Sequence, residues 1–217
     1  MRIVVFGAAG RTGRPLVEQA LAADHQVVAF VRDPARLAIE HPRLVVVQGD
    51  ATDLAAVEKA VRGADAVVSA MKTASSRKLA RTMPLTRATS NIIAAMSTFG
   101  VRRLVVSAGG AAASDPRDRP DWRIKLTAVI GRLAFPASMA DEVGSARAVQ
   151  ASDLDWTVVR MAGPTNSRPT GRFEAGFAGR GVGLLVSRAD TATFMLREAI
   201  ECRHLRQTVL ICNRKQP

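Results

Sequence analysis

The sequence contains no tyrosine, two cysteines, three histidines and only 4% aromatic residues, and each shortage removes a class of function. Without a phenol, no tyrosine can pass a proton to or from a reacting oxygen. Cys202 and Cys212 stand near a predicted helix end and in a predicted strand, with no neighbour at metal-ligand or redox spacing. Neither a disulfide framework nor a metal site is expected from them. His25, His41 and His204 fall at loops or helix ends without a partner pattern. No apolar run approaches the roughly 18 residues that a membrane span needs, and the amino terminus reads as a strand rather than a charged-then-apolar signal. A soluble, cytoplasmic protein with no membrane partner is expected.

Lysine is scarce as well. Only Lys59, Lys72, Lys78, Lys125 and Lys215 occur in a chain whose formal net charge is +12. The charge therefore rests on arginines, which are scattered through every segment and form no basic block interleaved with stacking aromatics. A nucleic-acid partner is not expected from that distribution. The use that remains for the charge is long-range attraction of an anionic cofactor.

What the sequence does have is regular alternation. Strands are predicted at Ile3–Phe6, Gln26–Val31, Leu44–Val47, Ala66–Ser69, Arg103–Ser107, Trp156–Arg160 and Thr208–Cys212, and helices at Thr12–Ala23, Leu54–Arg62, Pro84–Phe99, Ala140–Gln150 and Ala189–Glu201. Short β-branched runs followed by segments of helical period mean βαβ units and a sheet covered on both faces. The fold class is α/β, a doubly wound, mostly parallel sheet of Rossmann type, in a single domain over residues 1–217.

Two stretches break the pattern. Residues 109–138 begin as a Pro/Asp/Arg loop and become an apolar helical segment with Trp122, Leu126, Ile130 and Leu133 on about one face. An excursion after the carboxyl end of a strand borders the ligand crevice, so a lid or substrate wall is expected. An extra helix packed on the sheet is the equal alternative, and an amphipathic membrane anchor a weaker one. Residues 162–188, rich in Gly, Pro and Thr, read as a second substrate-side excursion.

The first predicted strand runs into Gly7, Gly10 and Gly13 and then into a helix. Backbone without side chains lets a pyrophosphate come close, and the helix N-terminus turns its N–H groups to the anion. Thr12 is expected to cap that helix and Pro15 to sit in its first turn. The spacing is Gly-x-x-Gly-x-x-Gly, in the strand-turn-helix context that a dinucleotide site requires. At the end of the second strand an acidic residue would bond the ribose 2′-OH, whereas an arginine pairs with a 2′-phosphate. The residue there is Arg32, with Arg36 as a possible second cation and Asp33 expected to point elsewhere. NADP(H) is therefore expected over NAD(H).

The segments "GAAGRTGRPLVEQAL", "VVAFVRDPARL", "VVVQGDATD", "GADAVVSAM", "GVRRLVVSAGG", "SDLDWTVVRMAGPT" and "RQTVLICN" together resemble the atypical short-chain dehydrogenases/reductases. The nearer resemblance is to the NAD(P)-binding branch of NmrA-like proteins and biliverdin-IXβ/flavin reductases. It implies that Arg11 and Thr12 reach the cofactor phosphates and Arg32 the 2′-phosphate. It further implies that Asp50 and Ala51 line the adenine, and that Ala70 and Met71 touch the riboses. Ser107 and Ala108 would end the fifth strand beside the nicotinamide, and Met161, Ala162, Gly163 and Pro164 would follow the sixth. As strand-end polar residues, Asp50 and Ser107 could equally serve turns and caps.

The main short-chain dehydrogenases use a Tyr-x-x-x-Lys pair, so the missing tyrosine excludes alcohol–ketone chemistry by that route. The chemistry that survives is hydride transfer to a small-molecule acceptor whose protonation can be left to water, such as a flavin, a quinone or another conjugated system. Ser107 is the candidate catalytic residue, orienting the nicotinamide or an acceptor oxygen; no base stands beside it, so it is not read as a nucleophile. Lys125 and Glu142 are expected on the surface. The substrate pocket is expected at Met71, Trp122 and Met161 to Pro164. A non-catalytic, NADP(H)-sensing, NmrA-like regulator with a protein partner is the alternative, favoured if Trp122 or Phe135 fills that pocket. An epimerase or dehydratase is weakened by the absent tyrosine and the small substrate side.

Overall fold

The computed structural model describes residues 1–73, 77–119, 129–130, 133–161, 163–179, 183 and 185–213. Along the chain these form β1 (Arg2–Phe6), α1 (Gly13–Ala22), β2 (Gln26–Val31), a 3-10 turn (Pro34–Arg36), β3 (Leu44–Gln48), α2 (Leu54–Val61) and β4 (Ala66–Ser69). There follow α3 (Arg77–Ala80), α4 (Pro84–Thr98), β5 (Arg103–Gly109), α5 (Pro136–Gln150), β6 (Asp155–Met161) and β7 (Pro164–Thr165). The last elements are β8 (Phe173–Gly176), β9 (Val186–Ser187), α6 (Arg188–Glu201) and β10 (Gln207–Asn213).

Eight strands make one sheet in the order β3-β2-β1-β4-β5-β6-β10-β8, with a small β7-β9 pair apart from it. Every pairing in the large sheet is parallel except β10 with β8. This is the doubly wound, Rossmann-type arrangement expected from the alternation. The period of two along each strand divides the core into two layers. Val5, Ala29, Val68, Val105 and Val159 face α1 and α6, where Leu16, Val17 and Met195 meet them. Val4, Val28, Val67, Leu104 and Val158 face the other way, onto Val57 of α2, Ile92 and Met96 of α4 and Val149 of α5.

Each predicted strand and helix forms, most with shifted ends. β5 continues to Gly109 and β6 to Met161, so Ser107, Ala108 and Met161 lie inside strands instead of closing or following them. α5 starts at Pro136, not Ala140, because a proline is well placed in a helix's first turn. In the 109–138 excursion, Trp122, Lys125 and Leu126 lie outside the described residues. Ile130 and Leu133 are 55% and 78% exposed, so the apolar face expected there does not pack on the sheet at those two positions. No helix among the described residues is long and apolar enough to cross a membrane.

Buried charge ties the excursions down. Arg160 of β6 donates to both Asp118 oxygens at 2.8 Å, and Asp118 also accepts the N–H groups of Asp115 and Ala178. Asp118 therefore joins the first excursion to the second. Asp115 accepts from Arg117, which is the largest cause holding its carboxyl down at about 2. In the second excursion, the wholly buried Asp190 accepts the backbone N–H groups of Thr170 and Gly171.

At the amino ends of the strands, Arg103 donates to the Glu198 carbonyl (2.9 Å), the Asp155 carbonyl (2.7 Å) and the Thr157 hydroxyl (2.8 Å). Its guanidinium lies 3.4 Å from Glu198 Oε2, and His204 Nδ1 lies 2.7 Å from Glu198 Oε1. His204 thus has a partner that its sequence context did not show, at the end of the sheet opposite the carboxyl ends of the strands. Removing one member of a buried pair strands the other. Glu198→Ala is expected to cost about 3 kcal/mol in urea unfolding, and a loss below about 1 kcal/mol would mean that the carbonyl acceptors alone hold Arg103.

Candidate functional site

Because β1 to β6 are mutually parallel, their carboxyl ends lie along one edge of the sheet, and most of the expected site residues fall there. The glycine turn follows β1. Gly7 has φ +75°, and a Cβ on it would stand 2.9 Å from the Ala70 carbonyl carbon and the Met71 nitrogen. A Cβ on Gly13 would stand 2.1 Å from the Gly7 oxygen, and one on Gly10 would stand 3.0 Å from it. The turn, the start of α1 and the loop after β4 are in backbone contact, which is the cradle a pyrophosphate requires. Thr12 occupies the cap position of α1 and is buried, but its side chain makes no capping hydrogen bond; its backbone is already near-helical, so the hydroxyl is not aimed at the next turn. Pro15 falls in the first turn as expected.

After β2, Arg32 is exposed, and Asp33 turns its Oδ1 to the Ala35 N–H (3.1 Å), capping the 3-10 turn. Arg36 ends that turn and is exposed. After β3, Asp50 accepts the Thr52 N–H and hydroxyl, both at 2.8 Å. The Thr52 N–H and then its hydroxyl hold this carboxyl below its ordinary value, with Arg32 and Arg87 adding to the effect against burial. The Ala51 carbonyl is held by Asn91 Nδ2 at 3.0 Å.

A cavity of about 150 Å³ opens at the ends of β4, β5 and β6. Met71, Ser107, Ala108, Met161 and Pro164 line it, so five of the expected residues are brought together. Ala70 lies one residue from it and against Gly7. Gly163 instead accepts the Val186 N–H through its carbonyl, beside the β7-β9 pair. Ala162 and Trp122 lie outside the described residues. Phe135 is 67% exposed and does not fill the cavity.

Two charged cavity residues were not foreseen. Glu142, expected on the surface, lines the cavity, and burial pushes its carboxyl above the usual glutamate range. Lys72 lines it too; burial first, then Arg188 and to a lesser degree Arg11, pull its ammonium below the usual value, while Glu142 opposes them. Arg188 is itself lowered by burial and by Arg11. Arg11, Lys72 and Arg188 thus press like charges together beside the glycine turn, a donor set suited to an anion such as a diphosphate.

Comparison with known proteins gives the family and the fold. The chain belongs to the NAD(P)H-binding family, whose model matches residues 7–201. It is 38% identical over 171 residues to the 3-diazoavenalumate denitrifying reductase of a Streptomyces species, a stretch covering 74% of this chain and 55% of that protein. The chain therefore spans about half the length of that curated relative. Among solved structures, ChuY, an anaerobillin reductase from Escherichia coli O157:H7, superposes with a TM-score of 0.77 at 20% identity, over 100% of this chain and 99% of the other. A short-chain dehydrogenase/reductase from Veillonella parvula in complex with NADP gives a TM-score of 0.75 at 19% identity, over 97% and 93%. At these identities the likeness is one of fold.

The backbone contact at the glycine turn yields a direct test. Gly13→Ala is expected to leave the far-ultraviolet circular dichroism intact while weakening NADP(H) binding at least about tenfold by calorimetry, because the new Cβ must displace the Gly7 carbonyl. Unchanged affinity would detach the turn from cofactor binding.

Proposed function

We propose that this protein is an NADPH-dependent oxidoreductase that reduces a conjugated small molecule, flavin-like or quinone-like, without a tyrosine. The observation that carries this reading is the cavity between Met71, Ser107 and Met161, which adjoins the glycine cradle and presents mostly apolar lining with few polar groups. Bound NADPH would supply the hydride. Gly7, Gly10, Arg11, Thr12 and Gly13 would hold its diphosphate, with Lys72 and Arg188 contributing charge. Asp50, Ala51 and Ala70 would border the adenosine side, and Ala108, Met161, Ala162, Gly163 and Pro164 the nicotinamide side. Met71, Pro164 and Trp122 would wall the acceptor, and Ser107 would orient it. The protein's part is to hold two rings face to face and exclude water.

The preference for NADP(H) rests on Arg32. Asp33, the nearby acid that could bond a ribose hydroxyl, already accepts the Ala35 N–H. The reductase names borne by the Streptomyces relative and by ChuY support the reaction class.

Anaerobic NADPH oxidation should be followed with flavin mononucleotide, a simple quinone, a diazo-substituted aromatic acid and no acceptor, beside a calorimetric NADP titration. Acceptor-dependent turnover is expected. Tight NADP binding without turnover on any acceptor would point instead to a cofactor-sensing regulator. Arg32→Ala should weaken NADP(H) binding by about tenfold to a hundredfold, since a charge-assisted hydrogen bond is worth about 1.5–3 kcal/mol, and should leave NAD(H) binding nearly unchanged. Equal losses for the two cofactors would remove Arg32 from this role.

A further inference from the structure

Glu142 is a cavity-lining acid for which cofactor binding has no use, and its position is built rather than incidental. Its neighbour on α5, Asp141, is wholly buried and accepts the Leu85 N–H (3.1 Å), the Thr86 N–H (2.9 Å) and the Thr73 hydroxyl (2.7 Å). Asp141 therefore caps α4 from across the helix interface and fixes the rotation of α5. Gly144, one turn along, is so close to α4 that a Cβ there would stand 2.5 Å from Thr86 Oγ1. That rotation sends Glu142 into the cavity against β5. A Cβ at Gly109 would lie 2.5 Å from Glu142 Oε2, so the glycine leaves the carboxyl its place.

We propose that Glu142 is the proton donor of the reduction. The proposal rests on the reductase reading above and replaces the expectation that water supplies the proton. In the step, NADPH gives a hydride to an electrophilic atom of the acceptor and is oxidised to NADP⁺. The electron pair displaced through the conjugated system forms a bond to the carboxyl proton of Glu142, which is left as a carboxylate and regains a proton from solvent. The acceptor gains two electrons and two hydrogens.

The surroundings keep that carboxyl protonated to higher pH than an ordinary glutamate. Burial is the largest cause, Asp141 adds to it, and Lys72 and the Gly109 N–H oppose it. Leu85 of α4, Val106 to Ala108 of β5 and Met161 of β6 bring no charge to the cavity. Arg160 of β6 is engaged by Asp118, and Lys78 of α3 is exposed. Arg11 and Arg188 act on Lys72, weakening the cation that, among the described residues, favours the carboxylate. The acid form must be present for transfer, so turnover falls as pH rises through the raised value.

The test compares wild type, Glu142→Gln and Gly109→Ala in NADPH-quinone turnover against pH, with NADP affinity by calorimetry and an infrared pH titration of the cofactor-free protein. In the wild type, a protonated-carboxyl band should persist above the usual glutamate range and kcat should fall as it disappears. Glu142→Gln should lose the band and the alkaline limb, with kcat down about a hundredfold or more and NADP affinity kept. Gly109→Ala displaces only the flexible end of Glu142 and should lower kcat in the same way. A Glu142→Gln enzyme with wild-type kcat and pH profile, or a wild type without the band, overturns the proposal while leaving the reductase reading intact. A wild type that turns over no acceptor overturns the reductase reading, and this role falls with it.

Discussion

The approach of Gly13 to the Gly7 carbonyl is the contact on which the rest of the site depends. A side chain at position 13 would overlap a backbone oxygen, and one at position 7 would meet Ala70 and Met71. Three backbone segments, after β1, at the start of α1 and after β4, therefore touch without intervening side chains. That contact sets Met71 and Lys72 beside the glycine turn. It also explains why the cavity lies next to the cradle instead of elsewhere along the edge of the sheet.

Charge follows from the same crowding. Arg11 sits on the turn, Lys72 on the loop pressed against it and Arg188 at the start of α6, and each depresses another's basicity or has its own depressed. An anion arriving beside such a group would offset the repulsion. Glu142 is the acid on the cavity side of this group, and its burial keeps it from acting as their full counter-ion. The site thus holds basic character toward the glycine turn and an acid toward β5, with Lys72 and Glu142 lining the same cavity.

The sheet was legible in the sequence because its parallel strands read as short β-branched runs, the edge strand β3 included although its side chains are half-buried or exposed. Gln26–Val31 and Ala66–Ser69 begin and end where expected. β8 was not legible. "FEAG" has no strand pattern of its own, and it pairs antiparallel with β10 because the second excursion folds back along that edge. Glu142 was missed for a different reason. A charged residue on a helix is solvated by default, and α5 has no clear apolar face to show which side is buried, since Asp141 and Ser145 are among its inward residues. The available signal was indirect, with Gly144 marking the helix crossing and Gly109 the strand that accommodates the carboxyl. The capping role given to Thr12 failed because residue type alone does not fix side-chain direction when the cap residue is itself near-helical.

How the two excursions are fastened bears on what the site can be adapted to do. The cofactor side is made of strand ends and a helix start, fixed by backbone contacts that tolerate no side chain at Gly7 or Gly13. Across the cavity stand α5 and Pro164, and the two excursions are held through single acidic residues, Asp118 on Arg160 and Asp190 on Thr170 and Gly171. Carboxylate anchors of this kind fix where a loop attaches without dictating the residues between the anchors. The glycine cradle, Ser107 and Glu142 stand on strand ends and helices rather than on those loops. A proton donor mounted on α5 and held by Asp141 against α4 stays in register with the strand ends whatever the loops enclose. In a chain without tyrosine, that rigidity is what the proposed role of Glu142 requires of its half-buried carboxyl.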